Sequence, residues 1–174
     1  MLFRLSQKLG AKIKAGKLVQ APLHADPLLD WSAQSFAVGR TQYILLSNTK
    51  SLFSTILLAK GCTDLPRFIE RAVSGIRECL EAHGDERVFR DFIAPHAGIV
   101  RFAKALNRSV TGSMNEQIRC AGFCMVDGDL SLLELGQRLN DNLLSAIASS
   151  GSTFGRPRDA FRELVGATLK PDNS

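Results

Sequence analysis

Apolar residues recur along this chain in two rhythms, and each change of rhythm marks a new element. Met1 to Ser6 alternates weakly and predicts a short strand. Leu5, Leu9 and Ile13 then recur every four residues beside Lys8 and Lys12, which predicts a helix over 7–15 stopped near Gly16. Residues 21–27 hold Pro22 and Pro27, each of which turns its preceding residue away from helix, so this stretch is a loop. Strands are expected over 32–38, 41–46 and 51–59, turned by Gly39-Arg40 and by Ser47-Asn48-Thr49-Lys50. Short turns between three successive strands predict an antiparallel meander.

After Gly61 the period lengthens. Leu65, Phe68, Ile69, Ala72, Val73, Ile76 and Leu80 predict a helix over 63–82. Thr63 or Asp64 would cap it, Pro66 suits its first turn and Gly84 would stop it. Val88, Phe89, Phe92 and Ile93 predict a short helix that ends before Pro95, and residues 98–103 a fourth strand. A helix is expected over 107–123, a turn at 127–129 and a longer amphipathic helix over 130–148, carried by Leu132, Leu133, Leu135, Leu139, Leu143, Leu144 and Ile147. The resulting fold is α+β, a two-layer sandwich in which a mostly antiparallel sheet of about four to five strands packs with three main helices. Residues 1–148 form this single domain, 149–155 a Ser-rich linker, and 156–174 a C-terminal helix and tail.

A chain of 174 residues with 45% hydrophobic and 22% charged positions buries enough surface to fold without disulfide or metal. No apolar run approaches the roughly 18 residues of a membrane span. The first residues lack the apolar core and small-residue cleavage site of a secretory signal, so a cytoplasmic protein without membrane contact is expected. Charge changes the picture more. The net charge is +5, yet residues 1–60 contain eight Lys or Arg against Asp26 and Asp30, 8 − 2 = +6, while the remainder sums to −1. An excess of this kind attracts phosphate backbones or an acidic protein partner.

Four pieces then occur in a recognisable order. A basic strand-helix comes first. Next is Asp26-Pro27-Leu28-Leu29-Asp30-Trp31, with a hairpin that continues as Tyr43-Ile44-Leu45-Leu46-Ser47-Asn48. Ile76-Arg77-Glu78 follows in the long helix. Last comes Lys104-x-x-Asn107-Arg108-Ser109-Val110-x-Gly112-Ser113-Met114-Asn115. In this combination, DPLxxW followed by NRSVxGSMN, roughly residues 1–145 resemble a small bacterial domain family of unknown function whose members are usually termed hypothetical proteins. The resemblance implies a compact α+β domain and carries over no catalytic residue.

The last of those pieces is also the best candidate anion site. A helix starting there presents unpaired N–H groups and the positive end of its dipole. Asn107 or Ser109 would cap it, with Lys104 and Arg108 alongside and Asn115 on the outer face. Gly112 costs helix propensity, which suggests close approach by another backbone or a ligand. Val110, Met114, Ile118 and Ala121 would face the core. Lys8, Lys12, Arg40 and Lys50 would extend the basic surface. Trp31, the only tryptophan, is expected as a core anchor beside Leu28 and Leu29.

Other chemistry has less support. Cys79 with His83, and Cys120 with Cys124, stand four apart on helices, and together they would offer a Cys3His zinc set. Neither pair is a CxxC knuckle, so no metal is expected and unpaired cysteines are expected as small buried residues. Asp26 and Asp30 are expected as one cap and one solvated carboxylate. There is no GxSxG elbow, no GxGxxG and no P-loop, and His24, His83 and His96 are far apart. No cofactor is expected. The leading expectation is a non-enzymatic module for nucleic acid or another polyanion. The alternatives are one component of an interacting protein pair encoded on mobile DNA, docking through its C-terminal helix, and an enzyme acting on a nucleotide or phosphoester.

Overall fold

A computed structural model of the chain describes residues 1–128, 130–147 and 154–169. The fold is α+β, as the sequence predicts, built on a five-stranded mixed sheet in the order β4-β3-β2-β1-β5. Strands β2 (Asp30–Val38), β3 (Thr41–Asn48) and β4 (Ser54–Leu58) form the expected antiparallel meander. Strand β1 (Leu2–Leu5) lies between β2 and β5 (Arg101–Lys104) and is parallel to both.

Alternation along the strands divides the core in two. On the first face Phe3, Leu5, Trp31, Ala33, Ile44, Leu46 and Leu57 meet α2 (Leu65–Ala82) through Phe68, Ala72, Ile76 and Leu80. On the second face Phe36, Leu45 and Ile56 meet Met114 and Ala121 of α4 (Arg108–Asp127) and Leu135 and Leu139 of α5 (Leu132–Asp141). The buried positions of α2 recur at helical spacing, and each large side chain taken from water contributes about 1.5–3 kcal/mol. Asp64 caps α2 by accepting from the Arg67 N–H at 3.0 Å, and this hydrogen bond holds its carboxyl below the usual range. Gly75 lets α2 settle on the sheet, because a Cβ there would collide with the Leu57 side chain.

Helix α1 (Gln7–Lys12) is capped by Ser6, buries Leu9 and ends shortly before Gly16, which is left-handed at φ 69. Helix α6 (Pro157–Thr168) buries Phe161 against Phe53, ring centroids 4.6 Å apart, and near Trp31 at 6.3 Å. Trp31 is an interior anchor, its Nε1–H donating to the Leu28 carbonyl at 2.9 Å.

Four sequence expectations are corrected: helices pack on both faces of the sheet, so the fold has three layers and not the two expected. The helix foreseen over 130–148 starts at the Ser131 capping box but stops at Asp141. Asn142 is extended, and Leu144 exchanges two backbone hydrogen bonds with Gly155 at 2.9 and 3.0 Å, so Leu144 reaches the interior by a bridge rather than a helical stripe, while Leu143 is exposed. Gly155 fits there because a Cβ would strike the Ile147 carbonyl. The segment before Pro95 does not stop. After α3 (Glu86–Val88), a π turn at Phe89–Ile93 runs into a 3-10 turn at Ala94–His96, where proline occupies an opening position that needs no N–H donor. Finally, a Cβ on Gly112 would meet nothing within 4 Å, so no backbone approaches it. Of the expected linker, residues 149–153 lie outside the described residues.

Candidate functional site

Three of the segments that build one end of the sheet contain no carboxylate; Asp64, which follows β4 at that same end, lies within electrostatic reach of Lys14 on the chain after α1. Residues 1–25, 31–60 and 92–115 hold neither Asp nor Glu. Because β1 and β5 run parallel to β2, the starts of α1 and α4 and the Gly39-Arg40 turn all lie toward the end of the sheet to which those strands point. Lys8, Arg40, Lys104 and Arg108 are exposed, with Leu5 and Lys104 level with Ala33 and the Arg40 turn projecting beyond them by the five residues to Val38, about 17 Å. Lys12 donates its Nζ to Gln42 Oε1 at 2.9 Å, which draws α1 toward the base of the Arg40 turn. Lys50 is exposed at the other end of β3, about 25 Å away at roughly 3.3 Å per residue. It is not part of this grouping.

The start of α4 is organised as expected. Asn107 Oδ1 accepts from the Val110 N–H at 3.0 Å and its carbonyl accepts from Thr111 at 3.2 Å. Among the described residues the N–H groups of Arg108 and Ser109 have no protein acceptor. Ser109 directs its carbonyl to the Ser113 hydroxyl at 3.1 Å. Asn115 sits two turns further on, where its Oδ1 accepts from Gln34 Nε2 at 2.7 Å, so it fastens α4 to β2 rather than joining the helix start. Met114 and Ala121 are buried and Val110 and Ile118 half-buried, the facing the sequence predicts.

Two acidic and basic residues have roles the sequence does not disclose. Asp26 caps the Pro27–Leu29 turn, as foreseen. Asp30 is not solvated: it is 1% exposed and forms a bidentate pair with Arg4, Nε–Oδ1 and Nη2–Oδ2 both 2.8 Å, and Arg4 is 0% exposed. The guanidinium also donates to the Ala21 and Pro22 carbonyls at 2.9 and 2.6 Å, while Asp30 Oδ2 accepts from the His24 N–H at 2.9 Å. Arg4 is therefore lost to the surface and instead ties the 21–30 loop onto β1. The available signal was Asp30 beside Trp31 in a strand whose neighbours are apolar.

A second buried polar group joins α4 and α5 to β4. Asn140, 0% exposed, accepts from the Ser54 N–H at 2.7 Å and donates to the Ser54 carbonyl at 2.9 Å. Gln117 donates to the Leu52 carbonyl at 3.0 Å and accepts from the Ser54 hydroxyl at 2.9 Å, which in turn lies 2.6 Å from the Ser47 hydroxyl. Cys79 faces this group, 3.5 Å from the Ser54 carbonyl, and burial pushes its thiol up to about 12. The His83 ring is 3.9 Å from Cys79 Sγ, but Cys120 is exposed on α4 and Cys124 half-buried there. Among the described residues no three His, Cys, Asp or Glu side chains gather as a metal set. Cys62 is also buried, and burial raises its thiol too. Among the described residues no helix is long and apolar enough to cross a membrane.

The comparisons with known proteins give a family and no activity. No curated protein matches the chain. A family model described as Domain of unknown function (DUF6933) matches residues 2–160, and the chain belongs to that family.

Proposed function

Starting from that membership, we propose that this domain is a non-enzymatic module that binds a polyanion, nucleic acid foremost, over the end of the sheet that carries Lys8, Arg40, Lys104 and Arg108. The observation that carries the reading is the absence of any acid from three of the segments that build this end, whose Lys8, Lys12, Arg40, Lys104 and Arg108 make no salt bridge among the described residues. A phosphate backbone meets such a surface through cation contacts and displaces counterions, so the affinity depends on salt rather than on base sequence. Trp31 is buried and offers no stacking platform, which further favours backbone contact over base readout. The start of α4 adds two outward N–H groups between Lys104 and Thr111, in keeping with an anion contact.

Fluorescence polarization with a labelled single-stranded oligonucleotide, repeated with a duplex, tests the proposal across a salt series. Binding is expected at about 50 mM salt and is expected to fall steeply by about 200 mM. The double variant Lys104→Glu, Arg108→Glu should weaken it at least about tenfold, and Lys50→Glu should act less, because Lys50 stands at the far end of β3. No binding at low salt, or binding indifferent to salt, overturns the proposal.

A further inference from the structure

Strand β4 is an edge of the sheet, and its outward backbone is only partly covered. Asn48 N–H donates to the Phe53 carbonyl and Ala59 N–H to the Gln42 carbonyl, so the bonded pairs of the β3–β4 ladder fall at 42/59, 44/57, 46/55 and 48/53. The intervening residues Ser54, Ile56 and Leu58 turn their backbone groups away from β3. Two side chains confirm the direction. Asn140 takes both groups of Ser54, and Arg71 Nη1 donates to the Leu58 carbonyl at 3.0 Å. Among the described residues, the N–H and C=O of Ile56 and the N–H of Leu58 have no protein partner.

These groups open into a cleft of about 620 Å³, walled by α2 on one side and by Leu132 and Leu133 of α5 on the other. Its charge is graded. Arg67 and Arg71, with Glu70 between them in sequence, stand at the Leu58 end, and Glu78 stands about two turns of α2 beyond Arg71, at the Thr55 end. The edge is recessed between two helices, each about 10 Å across with its side chains. A second copy, bringing its own pair of helices, cannot bring its β4 within the roughly 4.8 Å of a strand pair. A single extended peptide can.

We propose that the β4 edge takes an extended peptide from a partner protein as a sixth strand, with apolar side chains against Leu58, Leu132 and Leu133 and an acidic side chain at Arg71. Ile56 supplies a donor and an acceptor and Leu58 a further donor, so main-chain hydrogen bonds hold the peptide and alternate side chains choose it. Arg71, which already holds the Leu58 carbonyl, ends the pairing and marks the acidic end. Glu78 favours a basic residue at the other end.

The test uses the full chain and a positional-scanning library of fluorescent octapeptides with blocked termini, read by polarization. The expected selection alternates β-branched and polar residues, with Asp or Glu enriched toward one end. Arg71→Glu should weaken the selected peptide at least tenfold, and Ile56→Pro, which removes the central N–H, should abolish binding. Should Ile56→Pro not fold, Ser74→Trp fills the cleft from α2 and should abolish binding equally. Amide exchange at Ile56 and Leu58 should slow when the selected peptide is added. Binding by no pool at about 1 mM peptide overturns the proposal. So does binding indifferent to Arg71→Glu and Ser74→Trp, or a homodimer in sedimentation that Arg71→Glu breaks. Oligonucleotide binding should be unchanged by Ser74→Trp, which separates this cleft from the basic end of the sheet.

Discussion

Two buried polar groups anchor loops and helices to this sheet, and they do it with different chemistry. At β1 the anchor is ionic: Arg4 and Asp30 share two short hydrogen bonds and hold the 21–30 loop. At β4 it is neutral: Asn140, Gln117, Ser47 and Ser54 satisfy one another and the strand backbone. A buried ion pair gains little over an apolar substitute but is costly to break, because the survivor is a charge without water. A neutral amide loses only its own hydrogen bonds and the desolvation of its partners. The two anchors should therefore differ sharply in their sensitivity to single substitutions, although both are buried and hydrogen-bonded.

The largest effect expected from this contrast is at Arg4. Arg4→Met should lower unfolding stability by about 3–5 kcal/mol in urea melts followed by Trp31 fluorescence, and the double variant Arg4→Met, Asp30→Leu should recover part of it. A single-variant loss under about 1 kcal/mol would show that water reaches the pair. Asn140→Leu should cost less, about 1–3 kcal/mol, by leaving the two backbone groups of Ser54 unpaired. If it matched Arg4→Met, the distinction between ionic and neutral anchors would fail. A third measurement concerns reactivity. With its thiol near 12 and buried beside Ser54, Cys79 should resist alkylation at about pH 8 in the native protein, whereas exposed Cys120 should react, as peptide mass mapping would read. Early labelling of Cys79 would mean that the neutral anchor opens locally.

The smallest expected effect lies at two surface caps. Hydrogen bonds from the Arg67 N–H to Asp64, and from the Ser131 side chain and backbone to Glu134, hold both carboxyls below their usual range. Their contribution is then complete above that range and is lost as pH falls through it, below about pH 4. Asp64→Asn keeps a capping oxygen without the titration, so its melting temperature should fall less steeply with acid than that of the unmodified chain. Identical slopes would remove Asp64 from the acid response.

Elements set by local rhythm were readable in the sequence. The 3.6-residue period of α2, the Asn107 cap and the inward Met114 all stand where the pattern puts them, because each depends on neighbours within a few turns. What the sequence did not disclose depends on distant partners. Arg4 looks like one more surface cation until β1 is set beside Asp30, 26 positions away. Leu143, Leu144 and Ile147 continue the helical period of α5, so nothing local revealed that Leu144 would pair with Gly155. The candidate anion residues divided for the same reason: Lys104, Asn107 and Arg108 share one segment, whereas Lys50 was joined to Arg40 by sequence proximity and separated from it by the length of a strand. The β4 cleft leaves no mark in the sequence, because an open edge has no signature in side-chain type.

The place of β1 in the sheet also fixes an order of events. The meander of residues 30–58 pairs strands adjacent in sequence, so it can form as soon as those residues are available. β1 precedes it but must wait for β5, almost a hundred residues later, before its outer edge is covered. During synthesis on a ribosome, at roughly 5–20 residues per second, the Leu2–Leu5 strand would stay open on that side for several seconds at least. Over that interval β1 is a bare edge on one side, and the lysines of α1 that follow it in the chain are charges of the kind that discourage edge-to-edge pairing.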